Sequence, residues 1–270
     1  MTQRKLPLPQ PEIPISMSTA TIEALFRYPV KGFSAERLEA AGLLPGETIL
    51  NDRAFAVENG ASGFDPENPT WLPKVKFLCL MSIPELAALE TRFDDDSGRF
   101  SLRAPDGREA GGDLGTPEGQ EAVVSFLEDF LRTGRRGPLR VLRAAGHSFS
   151  DVAAKVVSLI NLASAAEIGG HLGATVDPVR FRGNVHVAGL EPWVEATWLG
   201  RTLALGDARL KVTKTIQRCP ATHVDPQAGV RDMDVMGAIR ALRGDLDCGI
   251  YARVVEPGTI RPGDELRVLD

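Results

Sequence analysis

A thiol stands beside a guanidinium and a proline in the segment Gln217-Arg218-Cys219-Pro220, at the end of a predicted strand. A neighbouring positive charge favours the thiolate, which is the form of cysteine that attacks electrophiles and binds soft metals. Pro220 has no backbone N–H and helps to end the strand, so we expect Cys219 at a strand edge or rim. A lone cysteine is otherwise most often a small buried apolar residue, and the surrounding sequence must decide between these interpretations.

The remaining cysteines and the four histidines do not complete a metal-ligand set. Cys79 lies in an apolar run and is predicted to belong to the core, while Cys248 has no partner at metal-ligand spacing. His223 forms a Cys-x-x-x-His pair with Cys219, but no second close pair supports tetrahedral zinc, and we expect His223 in a loop near the mouth of the site. A Cys–His hydrolase is an alternative on residue type alone.

The composition is that of a globular protein with room for one large or two modest domains. The chain has 270 residues, of which 43% are hydrophobic and 25% charged, and its net charge is −5. This charge argues against a nucleic-acid partner, although a local arginine cluster can still bind an anion. No apolar stretch approaches the ~18 residues that span a bilayer, so we expect no membrane span and a cytoplasmic location. Residues 1–19 are predicted to be a flexible leader without a secretory signal, and Met17 offers a second start.

Short strands separated by regular turns favour a barrel over a doubly wound sheet. Residues 20–112 are predicted to form a small, mostly β domain, and residues 116–270 a second β domain with helices. A glycine-rich stretch at 110–115 is interpreted as the linker between them. Strands are predicted at 22–26, 48–50, 54–57, 100–102, 185–187, 203–205, 210–212, 251–255 and 266–268. Helices are predicted from Ser82 to Glu90, from Pro117 with Thr116 as N-cap, from Ser164 with Glu167 as capping-box partner, and between Met233 and Leu242.

Five separated sets of residues occur in a fixed order from near residue 20 to the end of the chain. They are Tyr28-Pro29-Val30-Lys31, Asn51-Asp52-Arg53, Arg180 to Val185, Gln217-Arg218-Cys219 with Val224 to Gly229, and Gly249-Ile250-Tyr251 with Pro257 to Asp264. In this order and spacing they resemble the MOSC family, named after the C-terminal domain of molybdenum cofactor sulfurases. The two-part layout resembles the mitochondrial amidoxime-reducing component and its bacterial relatives. The resemblance implies a mostly β protein with α/β decoration, in which a smaller N-terminal β-barrel domain precedes a MOSC-type β-barrel domain.

The resemblance also implies a molybdenum cofactor site. Cys219 would be the one protein ligand of the metal, because a soft thiolate suits molybdenum that dithiolene sulfurs already hold. Arginine's planar fork suits both the phosphate and the pterin of this cofactor. The group often has a serine where this chain has Gly32 and a proline where it has Gly183, and a hydroxyl contact to the phosphate is missing at Gly32. The residues implied to hold the pyranopterin and its phosphate are Lys31, Gly32, Arg53, Arg182, Asn184, Gln217, Arg218 and Tyr251.

The activity implied by the resemblance is reduction of a small N-hydroxylated molecule, such as an amidoxime or hydroxylamine, by oxygen-atom transfer to molybdenum. The chain has no iron–sulfur cysteine spacing and no flavin fingerprint, so electrons would come from a separate ferredoxin, cytochrome or flavin reductase type of protein. Pyridoxal phosphate binding accompanies the family as a family-level association. The alternatives are a sulfur carrier with a persulfide on Cys219, since a reactive thiol serves either role, and a cofactor-binding module without turnover.

Overall fold

The structure, a computed structural model, describes residues 20–269. The predicted leader at 1–19 and the second start at Met17 lie outside the described residues. Across the described part, strands dominate and α-helices number three, so the predicted mostly β architecture is confirmed. The strands are β1 (Ala20–Arg27), β2 (Glu36–Leu38), β3 (Ala41–Leu43), β4 (Ala56–Asn59), β5 (Glu90–Phe93), β6 (Arg99–Arg103), β7 (Glu109–Asp113), β8 (Leu139–Leu142), β9 (Val157–Asn161), β10 (Val185–Ala188), β11 (Thr202–Leu205), β12 (Ala208–Gln217), β13 (Asp247–Glu256), β14 (Gly258–Ile260) and β15 (Glu265–Val268). The helices are α1 (Pro117–Phe130), α2 (Leu162–Leu172) and α3 (Val235–Arg243).

Seven strands close into a barrel in the order β10-β9-β13-β12-β11-β15-β1, and β1 returns to β10. The β9–β10 pair is parallel and the other pairs around the barrel are antiparallel. Side chains alternate across the wall, so Leu210 and Val212 of β12 point into the apolar interior with Leu25 of β1. Closure gives each barrel strand two neighbours and leaves no open edge in the ring.

A second apolar core lies outside the barrel, between α1, the β5-β6-β7 sheet and the β4–β8 pair. Helix α1 begins as predicted, because Thr116 accepts the N–H of Gly119 at 3.1 Å and Pro117 occupies the first turn. Its apolar face presents Val123 and Leu127 to this core. The chain thus builds a barrel and a smaller β-rich body beside it.

The predicted glycine linker at 110–115 is wrong, because β7 (Glu109–Asp113) runs through it. A Cβ on Gly112 would lie 2.3 Å from the Cα of Gly119, so β7 and α1 approach more closely than any side chain allows. Glycine therefore occurs here for close packing rather than for flexibility.

Three other local predictions differ from the structure. Residues 48–50 form a turn, and the strand β3 lies at Ala41–Leu43 instead. Helix α2 begins at Leu162 with Asn161 as N-cap, because Ser164 is buried and donates to Glu195 instead of capping a helix. The helix expected from Ser82 is a short 3-10 helix at Pro84–Ala88. The helix predicted between 233 and 242 is confirmed as α3.

Candidate functional site

All nine residues predicted for the site line one cavity of about 270 Å³. The cavity is lined at its rim and walls by Lys31, Gly32, Arg53, Arg182, Asn184, Gln217, Arg218, Cys219 and Tyr251. These residues come from five separate segments of the chain. The fold therefore brings residues that are far apart in sequence to one cavity.

Cys219 lies just beyond the end of β12, which stops at Gln217. Its backbone is extended, and Pro220 then opens a short 3-10 helix at Pro220–His223. The carbonyl of Cys219 accepts the N–H and the hydroxyl of Thr222, both at 3.0 Å. These bonds fix the backbone that carries the sulfur, while the side chain is half-buried at the cavity. The expected rim position is thus observed.

The cation that contacts this sulfur is Lys74, which the sequence prediction did not include. Its Nζ lies 3.3 Å from Sγ of Cys219 and 2.8 Å from Oδ2 of Asp151. Burial lowers the pKa of Lys74, but Asp151 and Cys219 outweigh burial and raise this pKa above its ordinary range. Lys74 begins the 3-10 helix at Lys74–Lys76, directly after Pro73.

Arg218 is adjacent to Cys219 in sequence, but its guanidinium is directed elsewhere. Nε and Nη2 donate to the carbonyl of Cys248, and Nη1 donates to the carbonyl of Phe181 at 2.8 Å. Arg218 therefore ties β13 to the segment before Arg182. The thiol of Cys248 is buried, and burial raises the pKa of that thiol to about 12.

Two guanidinium groups stack on Tyr28, each with its central carbon 4.3 Å from the ring centre. They belong to Arg53 and Arg182, and both residues have a φ of 52°, the left-handed region that non-glycine residues seldom adopt. Arg53 is paired with the buried Asp52 at 2.6 Å and donates to the carbonyl of Arg182 at 2.8 Å. Arg182 donates to the carbonyl of Phe33 at 2.8 Å. Burial, followed by the charge of Arg53, lowers the pKa of Arg182 to about 10.

Lys31 is buried on the opposite side of Asp151. Its Nζ donates to Oδ1 of Asp151 at 2.5 Å and to the carbonyl of Phe149 at 2.8 Å. Burial lowers the pKa of Lys31, and Asp151 opposes part of that shift. Burial alone would raise the pKa of Asp151, but Lys31 and Lys74 hold this pKa well below its usual range. Asp151 thus joins the two lysines through one carboxylate.

The two glycines that depart from the family pattern have steric reasons. Gly32 has a φ of +91°, and a Cβ there would lie 2.7 Å from the carbonyl oxygen of Leu78. A Cβ on Gly183 would lie 2.2 Å from the side chain of Ile160. A serine or a proline at these positions would therefore require a different backbone or neighbour.

Asn184 and Tyr251 belong to the cavity wall. Oδ1 of Asn184 accepts the N–H and the hydroxyl of Ser158, and Nδ2 donates to the carbonyl of Phe26. Both ends of this amide thus serve the wall between β9 and β1. Tyr251 pairs with Lys214 across β12 and β13, and burial raises the pKa of Tyr251. Gln217 is exposed at the rim.

Arg180 is a buried member of the cavity wall for which the sequence analysis proposed no role. It forms two bonds to Asp232, at 2.7 and 2.8 Å, and one to Asp225 at 3.2 Å. Its Nε is buried without a hydrogen-bond partner. His223, expected near the mouth, is not among the lining residues, because its ring faces the start of α3 and accepts the N–H of Met236.

The cavity is strongly cationic in a chain whose net charge is −5. Seven lysine and arginine side chains line it against two aspartates, which is a local charge of +5. Such a concentration of buried cations is stable only where anions or fixed dipoles compensate it, so the cavity suits an anionic ligand. Within residues 20–269, no group of three or more His, Cys, Asp and Glu side chains could hold a metal ion by itself.

The structure thus combines a closed β-barrel with a cationic cavity at which the half-buried thiol of Cys219 lies. Comparison with known families gives the family. The MOSC domain matches residues 116–267 and the MOSC N-terminal beta barrel domain matches residues 19–137. The chain therefore belongs to the MOSC domain family, and the resemblance seen in the sequence is confirmed.

Curated relatives match parts of the chain. A molybdenum cofactor sulfurase of Caenorhabditis briggsae is 34% identical over 126 residues, which are 44% of this chain and 18% of that protein. The mitochondrial amidoxime-reducing component 1 of Mus musculus is 30% identical over 134 residues, 45% of this chain and 38% of the relative. A molybdenum cofactor sulfurase of Caenorhabditis elegans is 26% identical over 253 residues, 88% of this chain and 34% of the relative. The matches thus span less than two fifths of each relative's own length.

These descriptions name the molybdenum cofactor and amidoxime reduction but not pyridoxal phosphate. Among the described residues, no helix has the length and apolar character that crossing a membrane requires.

Proposed function

We propose that this protein binds a molybdenum cofactor through Cys219 and reduces N-hydroxylated molecules such as amidoximes and hydroxylamines. The observation that supports this proposal best is the convergence of one half-buried thiol and seven cationic side chains on a single cavity. A phosphate monoester with a metal-binding dithiolene presents an anion and a soft metal together. The donors of the cavity match both parts, since guanidinium and ammonium groups bind phosphate and a thiol binds a soft metal.

The fit also rests on polar groups that the protein does not satisfy internally. Nε of Arg180 is buried and unpartnered, and Arg182 has one carbonyl acceptor for the donors of its guanidinium. Within residues 20–269, no carboxylate lies within ion-pairing distance of Arg182. A buried cation without a counter-ion is costly, and a bound phosphate would offset that cost.

The chain's own residues would hold the group in one orientation. Tyr28 backs the guanidinium groups of Arg53 and Arg182, and the bonds to Asp52 and Phe33 limit their movement. The hydrogen bonds from Thr222 fix the backbone of Cys219, which would hold the sulfur at the cavity as a ligand for the metal. When bound, the cofactor supplies oxygen-atom transfer at molybdenum.

Electrons would come from a separate protein of ferredoxin, cytochrome or flavin reductase type. The chain has three cysteines, whereas an iron–sulfur cluster is usually held by four, and no group of three or more possible metal ligands occurs in the described part of the chain. A cytoplasmic location is part of the same proposal.

The test is metal and pterin analysis of protein produced in a host with intact molybdenum cofactor synthesis. We expect close to one molybdenum per chain and reduction of an amidoxime by a chemical electron donor. Cys219→Ser replaces a soft sulfur with a harder oxygen and should abolish this reduction, even where the cations retain some pterin. Cys248→Ala is the matched control, because Cys248 is buried away from the cavity lining and should retain turnover per bound cofactor.

Wild-type turnover by Cys219→Ser would show that the sulfur is not the metal ligand. Stoichiometric zinc without molybdenum would refute the cofactor assignment. A wild-type protein without reductase activity, but with cyanide-labile sulfur on Cys219, would replace the reductase with a sulfur carrier.

A further inference from the structure

Lys74 lies between the sulfur of Cys219 and the carboxylate of Asp151. Its ammonium is 3.3 Å from the sulfur and 2.8 Å from Oδ2, while Oδ1 of the same carboxylate accepts from Lys31 at 2.5 Å. Lys31 is anchored in turn on the carbonyl of Phe149 at 2.8 Å. The side chain of Lys74 is 26% exposed, so most of it is packed against the protein rather than extended into water. The ammonium of Lys74 is therefore held in place by Asp151, which is held in turn by the buried Lys31.

We propose that Lys74 is a positioning residue that donates a hydrogen bond to the Cys219 sulfur while this sulfur binds the metal, and that it thereby raises the metal's reduction potential. This inference rests on the proposed function, in which Cys219 is the ligand. It names a group that lies 145 residues away in sequence and that neither the family stretches nor the relatives' descriptions assign.

Electron density on a sulfur ligand affects the reduction potential of the metal that it binds. A hydrogen bond from a cation withdraws electron density from a thiolate, which makes the sulfur a weaker donor and the reduced metal easier to form. An ammonium has three donors, so Lys74 can serve the sulfur and Asp151 together and still offer one N–H to a ligand in the cavity. Asp151 holds the ammonium beside the sulfur because it is itself held by Lys31. Lys74 thus acts through Cys219.

The first arm of the test needs no cofactor. Cys219 of the cofactor-free protein is reacted with two disulfide reagents, the doubly negative dithiobis(nitrobenzoate) and the neutral dithiodipyridine. The same thiolate attacks both reagents, so the ratio of the two rate constants cancels the thiolate fraction and reports the local charge. Lys74→Met keeps the length of the side chain but removes its charge. We expect the rate constant for dithiobis(nitrobenzoate), divided by that for dithiodipyridine, to fall by about three- to tenfold.

Lys76→Met is the matched control, because Lys76 belongs to the same 3-10 helix but is not among the residues that line the cavity. Its ratio should equal that of the wild type. Asp151→Asn provides a second variant that keeps Lys74 but removes a negative charge, so its ratio should rise above that of the wild type. An unchanged ratio in Lys74→Met, or an equal fall in Lys76→Met, would show that the ammonium of Lys74 does not contact the Cys219 sulfur.

The second arm is a potentiometric titration of the loaded protein, followed by the paramagnetic signal of the metal. Lys74→Met should bind molybdenum but shift its one-electron equilibrium at least tenfold toward the oxidised state, about 59 mV to lower potential. Lys76→Met should match the wild type. An unchanged potential in Lys74→Met would overturn the proposal while leaving the proposed function intact. Wild-type protein without molybdenum would instead overturn the proposed function and the role of Lys74 on the metal, and the reagent ratio would still decide whether Lys74 contacts the sulfur.

Discussion

Arg53 and Arg182 form a matched pair whose substitution should have different effects on stability. Both stack on Tyr28 at 4.3 Å and both have a φ of 52°. They differ in their counter-ions, since Arg53 is paired with Asp52 at 2.6 Å and Arg182 is bonded to the carbonyl of Phe33. Replacement of either residue by methionine keeps an apolar stem on the ring and removes the charge. The difference between the free energies of unfolding of the two variants therefore measures how much the counter-ion matters to stability.

Arg53→Met should destabilise the cofactor-free protein strongly. Asp52 is 4% exposed, and the substitution leaves its charge buried with a hydrogen bond from the N–H of Tyr28. Breaking a buried ion pair from one side costs about 3–5 kcal/mol, and the bond from Tyr28 places the expected loss at about 3 kcal/mol. In a chain of this size, such a loss lowers the melting temperature by roughly 6–12 °C.

Arg182→Met should change the stability of the cofactor-free protein by no more than about 1 kcal/mol. The variant loses a charged hydrogen bond to Phe33, which contributes about 1.5–3 kcal/mol. It also removes a cation that burial and Arg53 disfavour, as the lowered pKa of about 10 indicates. That shift corresponds to at most about 3 kcal/mol, and less because the side chain is partly exposed to water. The two contributions are therefore of similar size and opposite sign.

The assay is denaturant unfolding of cofactor-free protein, together with the molybdenum and pterin retained by each variant after dialysis. Both variants should weaken retention by about 1.5–3 kcal/mol, or roughly 10- to 150-fold, because each loses a charge-assisted bond to the ligand. Arg37→Met, on the exposed face of β2, is the control and should change neither quantity. Equal destabilisation by Arg53→Met and Arg182→Met would refute the argument from the counter-ion.

Two further predictions concern packing and pH. Gly112→Ala should cost about 3 kcal/mol in denaturant unfolding, because the new methyl group would lie 2.3 Å from Gly119, whereas Gly170→Ala on α2 has open space and should gain up to about 1 kcal/mol. Burial, assisted by Arg218, lowers the pKa of His186 to about 4, so the unfolded chain takes up a proton near pH 6.5 that the folded protein excludes. The contribution of neutral His186 to the free energy of unfolding is fully present above pH 6.5 and is lost as the pH falls towards 4. The free energy of unfolding should therefore fall by about 2 kcal/mol between pH 7 and pH 5. His186→Gln should remove that part of the pH dependence and the exposed His171→Gln should not; identical slopes for the two variants would contradict the assignment.

The order of the family stretches predicted much of the site, because each stretch is local in sequence and carries its own residue types. Lys74 could not be found in this way, since its contact with Cys219 depends on tertiary structure and its own segment contains no recognised motif. Asp151 lies outside the five sets of residues that carry the resemblance in the sequence. Arg218 shows the opposite case: its position in sequence suggested a contact with the thiol, but strand geometry directs its side chain to the carbonyls of Cys248 and Phe181.

The fold was predictable where hydrophobic alternation and helix caps act locally, as at β12 and at Thr116. It was not predictable where packing decides. The glycines of β7 have the composition of a linker, and only the approach of Gly119 reveals why they belong to a strand. Ser164 and Glu167 have capping-box spacing, but burial directs the serine to Glu195 and the helix begins two residues earlier.

The closure of the barrel by β1 has a consequence for the order of folding. Thr21 of β1 pairs with Glu265 of β15 on one side and with Ala188 of β10 on the other. The ring therefore joins a strand that is synthesised early to a strand that is synthesised last. Until β15 has been synthesised, β1 and β11 lack the strand that joins them, and each presents an open edge. Contacts of such long sequence separation fold slowly, and the smaller α1-containing core has the opportunity to form first. The interval before residue 268 emerges is the period in which the nascent protein is most exposed to strand-mediated aggregation.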